Sequence, residues 1–329
     1  MLSRGVGKMF ARSLTQPDQF SGGIAVLFLV FNRPEAVRSS LAAIRMYRPV
    51  RLYIAADGPR PTVLGEKNLA QAARKAAEQV DWPCRVERLY RDSNLGCRLA
   101  VSGALDWFFQ QEECGIVIED DVVAAPDFFP FCERLLDRYR HEPRIRMVAG
   151  MNYAPNQRLW TSYFFSRYFP IWGWASWRRA WLEYDRDLTA WRRPRARKEL
   201  ASICPNKSMA SYYASMFDAF VSQDIDTWDI QWAYSCLRAG GLAAIPRVNL
   251  TANIGVEGTR ASGVPSSFHM LPTGWLNGYR LRHPTRIAVD RRQERAVITA
   301  IVRGSGVQSY LDRIFSRTRR VLRSALGHR

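Results

Sequence analysis

At 329 residues and 37.8 kDa, the chain is long enough to bury a sizeable core in one large domain or two modest ones. Its composition, 47% hydrophobic, 12% aromatic and 24% charged, excludes a disordered, collagen-like or coiled-coil protein. Lys and Arg number 48 against 30 Asp and Glu, a formal net charge of +18 that favours anionic partners: nucleic acid, an acidic membrane surface or a phosphorylated substrate.

The chain opens on a basic, acid-poor stretch, Met1 to Gly23, which lacks a secretory apolar core and reads as a loose N-terminal arm. Ile24 to Phe31 is an unalternated apolar run, the pattern of a strand buried on both faces of a parallel sheet. At about eight residues it is far too short to span a membrane, which takes roughly 20. Pro34 to Met46 follows with Ala36, Val37, Leu41 and Ile44 at helical spacing and a proline suited to the first turn. Arg51 to Ala56 is a second buried strand, closed by Asp57-Gly58-Pro59. A helix over Gly65 to Val80, a strand over Arg85 to Tyr90, a helix over Gly96 to Gln111 and a strand over Gly115 to Ile118 complete the pattern. This alternation predicts an α/β domain with a mostly parallel central sheet.

In such sheets ligands lie beyond the carboxyl ends of the strands. Asn32-Arg33, Asp57-Gly58 and Glu119-Asp120-Asp121 all fall at such ends and are expected to converge on one crevice. Three consecutive acids after a buried strand repel one another unless a cation relieves them. One reading is a hard divalent metal held by carboxylate and phosphate oxygens. The other is helix capping, with Asp127 at the start of a Pro126-to-Arg138 helix. The six cysteines (Cys84, Cys97, Cys114, Cys132, Cys204 and Cys236) show no zinc-site spacing. They read as reduced, mostly buried thiols of a cytosolic protein.

Val117 to Phe129 resembles the metal-binding signature of GT-A nucleotide-sugar glycosyltransferases, closest to the N-acetylglucosaminyltransferase I group and its bacterial homologues. Further blocks resemble that family in the same order: Val30 to Pro34, Ala56-Asp57-Gly58, Asn94-Leu95-Gly96, Tyr168 to Trp174, and Trp228 to Trp232. The resemblance runs from Ile24 to about Gly263. It implies a GT-A fold, Rossmann-like, over residues 24–270; residues 271–329 read as a basic extension from their charge. It implies a divalent cofactor, Mn2+ or Mg2+, held by Asp121. Asp120 would face the ribose and sugar, Glu119 the donor sugar, Asp57 the base, and Asn32 and Arg33 the nucleotide or its phosphates. The implied donor is a nucleoside-diphosphate sugar such as a UDP-sugar, and the acceptor a glycan or lipid-linked glycan in bacterial cell-surface polysaccharide synthesis.

An inverting transferase needs a base opposite the leaving group. Asp229, between Trp228 and Trp232, matches the family's block, where lowered water access would raise its pKa. In the animal enzymes two adjacent acids precede the second tryptophan, whereas Ile230-Gln231 stands here, so Asp226 remains the alternative base. Asp224 and Asp226 can equally cap the helix that starts near Trp228. Trp174, Trp177 and Trp181 read as a buried helix face, whereas Trp172-Gly173-Trp174 matches a donor-facing loop, in which Gly173 would permit close approach to a ligand. The Gly- and Ser-rich stretch Asn253 to His269 suits a closing loop, with Arg260 as a phosphate clamp.

From Leu276 onward, 13 arginines face three acids, and Val307 to Leu326 carries an apolar stripe beside a cationic one. That pattern fits either a helix lying peripherally on an anionic membrane or one packed on the catalytic domain. No nucleic-acid-binding motif accompanies the charge. A nucleotidyltransferase is the alternative enzyme, but its Gly-rich, Lys-containing loop is missing from Phe31 to Pro34. A non-catalytic membrane- or nucleic-acid-binding protein is the third reading.

Overall fold

The computed structural model describes residues 23–156, 158–223, 225–255, 271–278 and 280–304. The first half alternates as its apolar runs require: β1 (Val26–Val30), α1 (Pro34–Tyr47), β2 (Arg51–Ala56), α2 (Glu66–Ala77), β3 (Arg85–Tyr90), α3 (Gly96–Gln111) and β4 (Cys114–Glu119). The chain then turns through a short β5 (Val122–Ala124) into α4 (Phe128–Arg138) and β6 (Ile145–Ala149). β7 (Tyr163–Ser166), β8 (Trp174–Trp177), α5 (Arg178–Trp181), α6 (Ala196–Ile203), α7 (Lys207–Gln223) and α8 (Asp229–Arg238) follow. β9 (Leu242–Pro246), β10 (Thr251–Asn253) and α9 (Arg291–Gly304) complete the described elements.

The central sheet has eight strands in the order β3-β2-β1-β4-β8-β6-β9-β7. β3, β2, β1 and β4 are parallel, as are β6 and β9, whereas β8 runs antiparallel to both β4 and β6, and β7 antiparallel to β9. The mostly parallel expectation therefore holds for the first half and gives way to a mixed sheet in the second. β5 and β10 form a small antiparallel ribbon pairing Val122 with Asn253, close beside the acidic turn.

Helices cover both faces of the sheet, so successive strand residues are all buried and the apolar runs do not alternate. Leu27, Leu29, Tyr53, Ala55 and Val117 pack with Leu105 and Phe108 of α3 and with Trp232 of α8. Val26, Phe28, Val30, Ile54 and Ile118 pack on the other side with Val37 and Ile44 of α1, Ala73 of α2 and Phe128 of α4. Ile298 and Ile301 of α9 join the first of these cores. Glu294 of α9 accepts hydrogen bonds from the backbone N–H of Arg167 at 2.9 Å and from its guanidinium at 2.5 Å. The described part of the C-terminal segment is thus packed against the sheet.

Two local expectations change. Trp174 to Trp177 is strand, not helix, and the helical turn α5 begins only at Arg178. Asp127 does not cap α4; its carboxylate instead accepts the backbone N–H groups of Leu276, Asn277 and Gly278 at 2.9–3.2 Å, pinning the later chain to the start of that helix. All six cysteines are free thiols, but only Cys132, Cys204 and Cys236 are buried, the others being half-buried. Among the described residues no helix is long and apolar enough to cross a membrane. The N-terminal arm, Asp224, Arg260 and the 256–270 loop, and the stripe from Val307 to Leu326 lie outside the described residues.

Candidate active site

β1 and β4 are hydrogen-bonded neighbours, so their carboxyl ends deliver Phe31-Asn32-Arg33 and Glu119-Asp120-Asp121 to the same place. Arg33 Nη2 lies 2.5 Å from Asp120 Oδ1 and Nη1 lies 2.7 Å from Asp121 Oδ2. One guanidinium therefore spans both acids with its fixed fork. Asp120 also accepts the Phe31 N–H at 3.0 Å on its other oxygen, and the Ser40 hydroxyl of α1 donates to its carbonyl at 2.9 Å. Both Asp120 carboxylate oxygens are engaged within the protein, which makes it a brace as much as a ligand group.

Asp121 differs. Its Oδ1 is buried and has no hydrogen-bond partner among the described residues, and the same holds for Glu119 Oε1. Two orphaned carboxylate oxygens at one turn carry a desolvation cost that a bound cation would remove. Burial, then the charges of Asp121 and Asp120, push the Glu119 carboxyl well above its ordinary range, with a smaller contribution from Asp229. Burial raises the Asp120 carboxyl to about 6 against the opposing pull of Arg33.

β10 closes the site from the other side. Ile254 donates its N–H to the Asp121 carbonyl at 2.8 Å, and Gly255 donates its own to Asn253 Oδ1 at 2.8 Å. A Cβ on Gly255 would stand 2.3 Å from Asp121 Oδ2 and 2.8 Å from Arg33 Nη1, so a larger residue here would have to displace the Arg33–Asp121 pair. The sequence placed Asn253 at the start of a closing loop; it is instead the last residue of β10, paired opposite Val122.

The residues present fit a divalent cation in the manner such ions adopt at phosphate sites, with one or two carboxylates and the remaining places left to water and phosphate. Asp121 Oδ1 and Glu119 Oε1 are the protein oxygens available. Among the described residues no cluster of three His, Cys, Asp or Glu side chains is disposed to hold a metal alone.

The other predicted residues divide into two groups. Asp229 sits half-buried at the first position of α8, its carboxylate accepting the Thr227 hydroxyl, close enough to Glu119 for their charges to interact. Asn32 also lies at the crevice, where its amide donates to Glu66 Oε1 at 2.8 Å; Arg60 pairs with the same carboxylate. Glu66 is buried and was missed because its partner is 34 residues away in sequence. Asp57, by contrast, is saturated by its own surroundings. Its carboxylate accepts the N–H groups of Gly58, Leu95 and Gly96 and the Asn94 amide, at 2.9–3.2 Å. Burial raises its pKa, and the backbone donors of Leu95, Gly58 and Gly96 oppose that rise.

Asp226 and Trp174 do not take up the roles expected of them. The exposed Asp226 accepts the backbone N–H groups of Cys97 and Arg98 at 3.0 and 2.8 Å, capping α3 across the chain rather than α8. Trp174 is fully buried between Trp228 and Trp232, with ring centroids 5.7 Å away in each case. It has no face left for a sugar and is a core residue; its Nε1 has no partner among the described residues. Gly173 adopts φ +74°, and a Cβ there would meet Thr251 Cγ2 at 2.6 Å. The requirement is packing, since the Thr251 hydroxyl donates to the Trp172 carbonyl at 2.6 Å and Gly150 donates to that of Gly173 at 2.8 Å. The buried Trp172-Gly173 turn therefore positions β10, and with it Asn253 and Gly255.

No family model matches the sequence. No curated protein matches it either. Among solved structures, the chain is similar to a mannosyltransferase of Pyrobaculum calidifontis in complex with GDP-Man and Mn2+, at 12% identity over 65% of this chain and 69% of that one, with a TM-score of 0.38. It is similar to mouse xyloside xylosyltransferase 1 at 9% identity over 65% and 81% of the two chains, with a TM-score of 0.32. It is also similar to 4-diphosphocytidyl-2C-methyl-D-erythritol synthase of Anaerococcus prevotii at 8% identity over 69% and 87%, with a TM-score of 0.31. At these scores the likenesses carry no argument about what this chain does.

Proposed function

We propose that the chain is a GT-A glycosyltransferase that moves a sugar from a nucleoside-diphosphate donor, such as a UDP-sugar, to a glycan or lipid-linked glycan, with inversion. One observation carries the reading: Asp121 Oδ1 and Glu119 Oε1 are buried without partners among the described residues, beside Arg33, at the carboxyl ends of two adjacent parallel strands. That is where an α/β sheet receives a nucleotide.

Asp121, with Glu119 behind it, would hold Mn2+ or Mg2+. The metal, when bound, supplies positive charge against the negative charge that builds on the departing diphosphate. Arg33 supplies the second cation of the site, reaching the diphosphate from the β1 end. Asp120, braced by Phe31 and Arg33, fixes the turn that aims its neighbours. Asn32 and Asp57 shape the nucleotide end, Asp57 by holding the Asn94-Leu95-Gly96 turn in place. Asp229 takes the proton of the acceptor hydroxyl as that oxygen bonds to the anomeric carbon and the diphosphate leaves with its bonding pair. The described crevice lies within one chain, and a cytoplasmic enzyme attached peripherally to the inner membrane through its basic C-terminal segment fits the charge distribution.

The test is release of nucleoside diphosphate from a panel of nucleotide sugars, with and without Mn2+. Metal-stimulated release from at least one donor, lost in Asp121→Ala, is expected. No release from any donor, with or without glycan acceptors, would sink the proposal.

A further inference from the structure

A cleft of about 710 Å3 lies apart from the acidic turn and shares no lining residue with it. Its walls are the first turns of two helices, α7 with Lys207 and Ser208, and α9 with Arg291, Glu294 and Arg295, together with Arg167 at the end of β7. Among the described residues Glu294 is the single acid lining it; it is buried and is neutralised by Arg167 at 2.5 Å. Lys207, Arg291 and Arg295 are exposed and form no ion pair among the described residues. Three uncompensated cations thus face one concavity into which two helix dipoles point their positive ends. Asn206 Oδ1 accepts the N–H groups of Ser208 and Met209, and Asp290 Oδ1 those of Arg292 and Gln293. The helix termini are therefore closed, and the cations are what remains for a ligand.

Arg291 and Arg295 stand one helical turn apart on α9, so their guanidinium groups share a face at the spacing of adjacent side-chain positions. Two guanidinium forks with an ammonium opposite match the several acceptor oxygens of a phosphate or diphosphate better than a lone carboxylate. The cleft backs onto a buried aromatic cluster that reaches towards the candidate base. Arg167 immediately precedes Tyr168, whose ring lies 5.5 Å from Tyr153 and 6.4 Å from Tyr213. Tyr212 and Tyr213 lie on α7, about 8 Å along the helix from Lys207. The Asp229 charge acts on both Tyr153 and Tyr212. The geometry points to a subsite for the phosphate or diphosphate group of the acceptor, held by Lys207, Arg291 and Arg295. Naming the ligand as acceptor rests on the transferase reading; the anion site itself does not.

The probe is inorganic pyrophosphate, titrated calorimetrically into the full chain in EDTA. Without metal the acidic turn repels such an anion, and the triple variant separates binding at the cleft from binding at the basic termini. Saturable one-site binding is expected, weakened at least tenfold in Lys207→Ala/Arg291→Ala/Arg295→Ala, whose surface positions leave the melting temperature intact. Absent binding, or equal affinity in the triple variant, would overturn the inference. Vesicles of phosphatidylcholine with phosphatidylglycerol form the second arm. A tenfold loss of vesicle binding in the variant without any pyrophosphate site would show a membrane-facing patch and also overturn it. Nucleotide release from the donor is read separately, so failure of the transferase reading leaves a different mark.

Discussion

The carboxylate of Asp226 lies 2.7 Å from where a Cβ on Gly96 would stand, and it caps α3 by taking the N–H groups of Cys97 and Arg98. Gly96, at φ +79°, is what allows that approach. Asp226→Ala is therefore expected to cost about 1 kcal/mol of stability, as an N-cap does, with turnover largely kept. Denaturant unfolding alongside donor turnover checks this. A collapse of kcat with unchanged stability would return Asp226 to the list of bases.

Asp229→Asn is expected to behave in the opposite way. Removing a positioned general base lowers kcat by roughly 10²–10⁴-fold while leaving metal and donor binding in place. The measurement is glycosyl transfer against donor affinity. Equal losses in both would assign Asp229 to binding.

Arg33 neutralises two acids that are buried, while being about a third exposed itself, at 31%. Arg33→Met should destabilise the metal-free protein by on the order of 2 kcal/mol, less than a fully buried pair would lose. Added Mn2+ should recover part of that loss, read as a rise in melting temperature larger than in the wild type. An unchanged melting temperature without metal would show that the acids do not depend on this cation.

The raised carboxyl of Asp120 has a consequence for pH, and its sign is fixed by linkage. With a folded pKa of about 6, above the ordinary carboxylate value, the folded state binds more protons than the unfolded chain between about pH 4 and 6. Stability from this group is therefore present at the low end of that window and lost as the pH rises through it. Relative to Asp120→Asn, the metal-free wild type should lose on the order of 2 kcal/mol from pH 4 to 7. A stability difference that is flat with pH would contradict it.

Trp174 separates core from site. Trp174→Ala should cost about 3–5 kcal/mol, the range for emptying a large buried side chain. Thermal unfolding of the variant, set beside its donor affinity, distinguishes the roles, since a ligand-facing tryptophan would lose affinity at nearly normal stability.

The first four strands and their helices could be read within a couple of residues because two-sided burial forces unalternated apolar runs and the turns carry proline, glycine or aspartate. The same burial hid β8. Every residue from Trp174 to Trp177 is buried, so no alternation marks it as strand, and the three- to four-residue tryptophan spacing imitates a helix. The acidic turn and Arg33 were legible as charges at strand ends. Their convergence on one crevice was expected, but the ion pairs of Arg33 with Asp120 and Asp121 appear only once β1 and β4 are seen as neighbours. What stayed hidden depends on long-range placement: Asp226 on α3, Glu66 on Asn32, Asp127 on the 276–278 segment, and Gly255 against Asp121. No local pattern announces a partner more than a hundred residues away, as Asp226 and Asp127 have.

The proposed function requires that the oxygens of Asp121 and Glu119 without partners among the described residues take a divalent cation together with a nucleoside diphosphate. Electron paramagnetic resonance of Mn2+ titrated into the protein with UDP tests it most directly. Saturable Mn2+ binding that UDP strengthens and that Asp121→Ala abolishes is expected. Mn2+ binding that is equal in the wild type and Asp121→Ala, or indifferent to every nucleoside diphosphate offered, would contradict it.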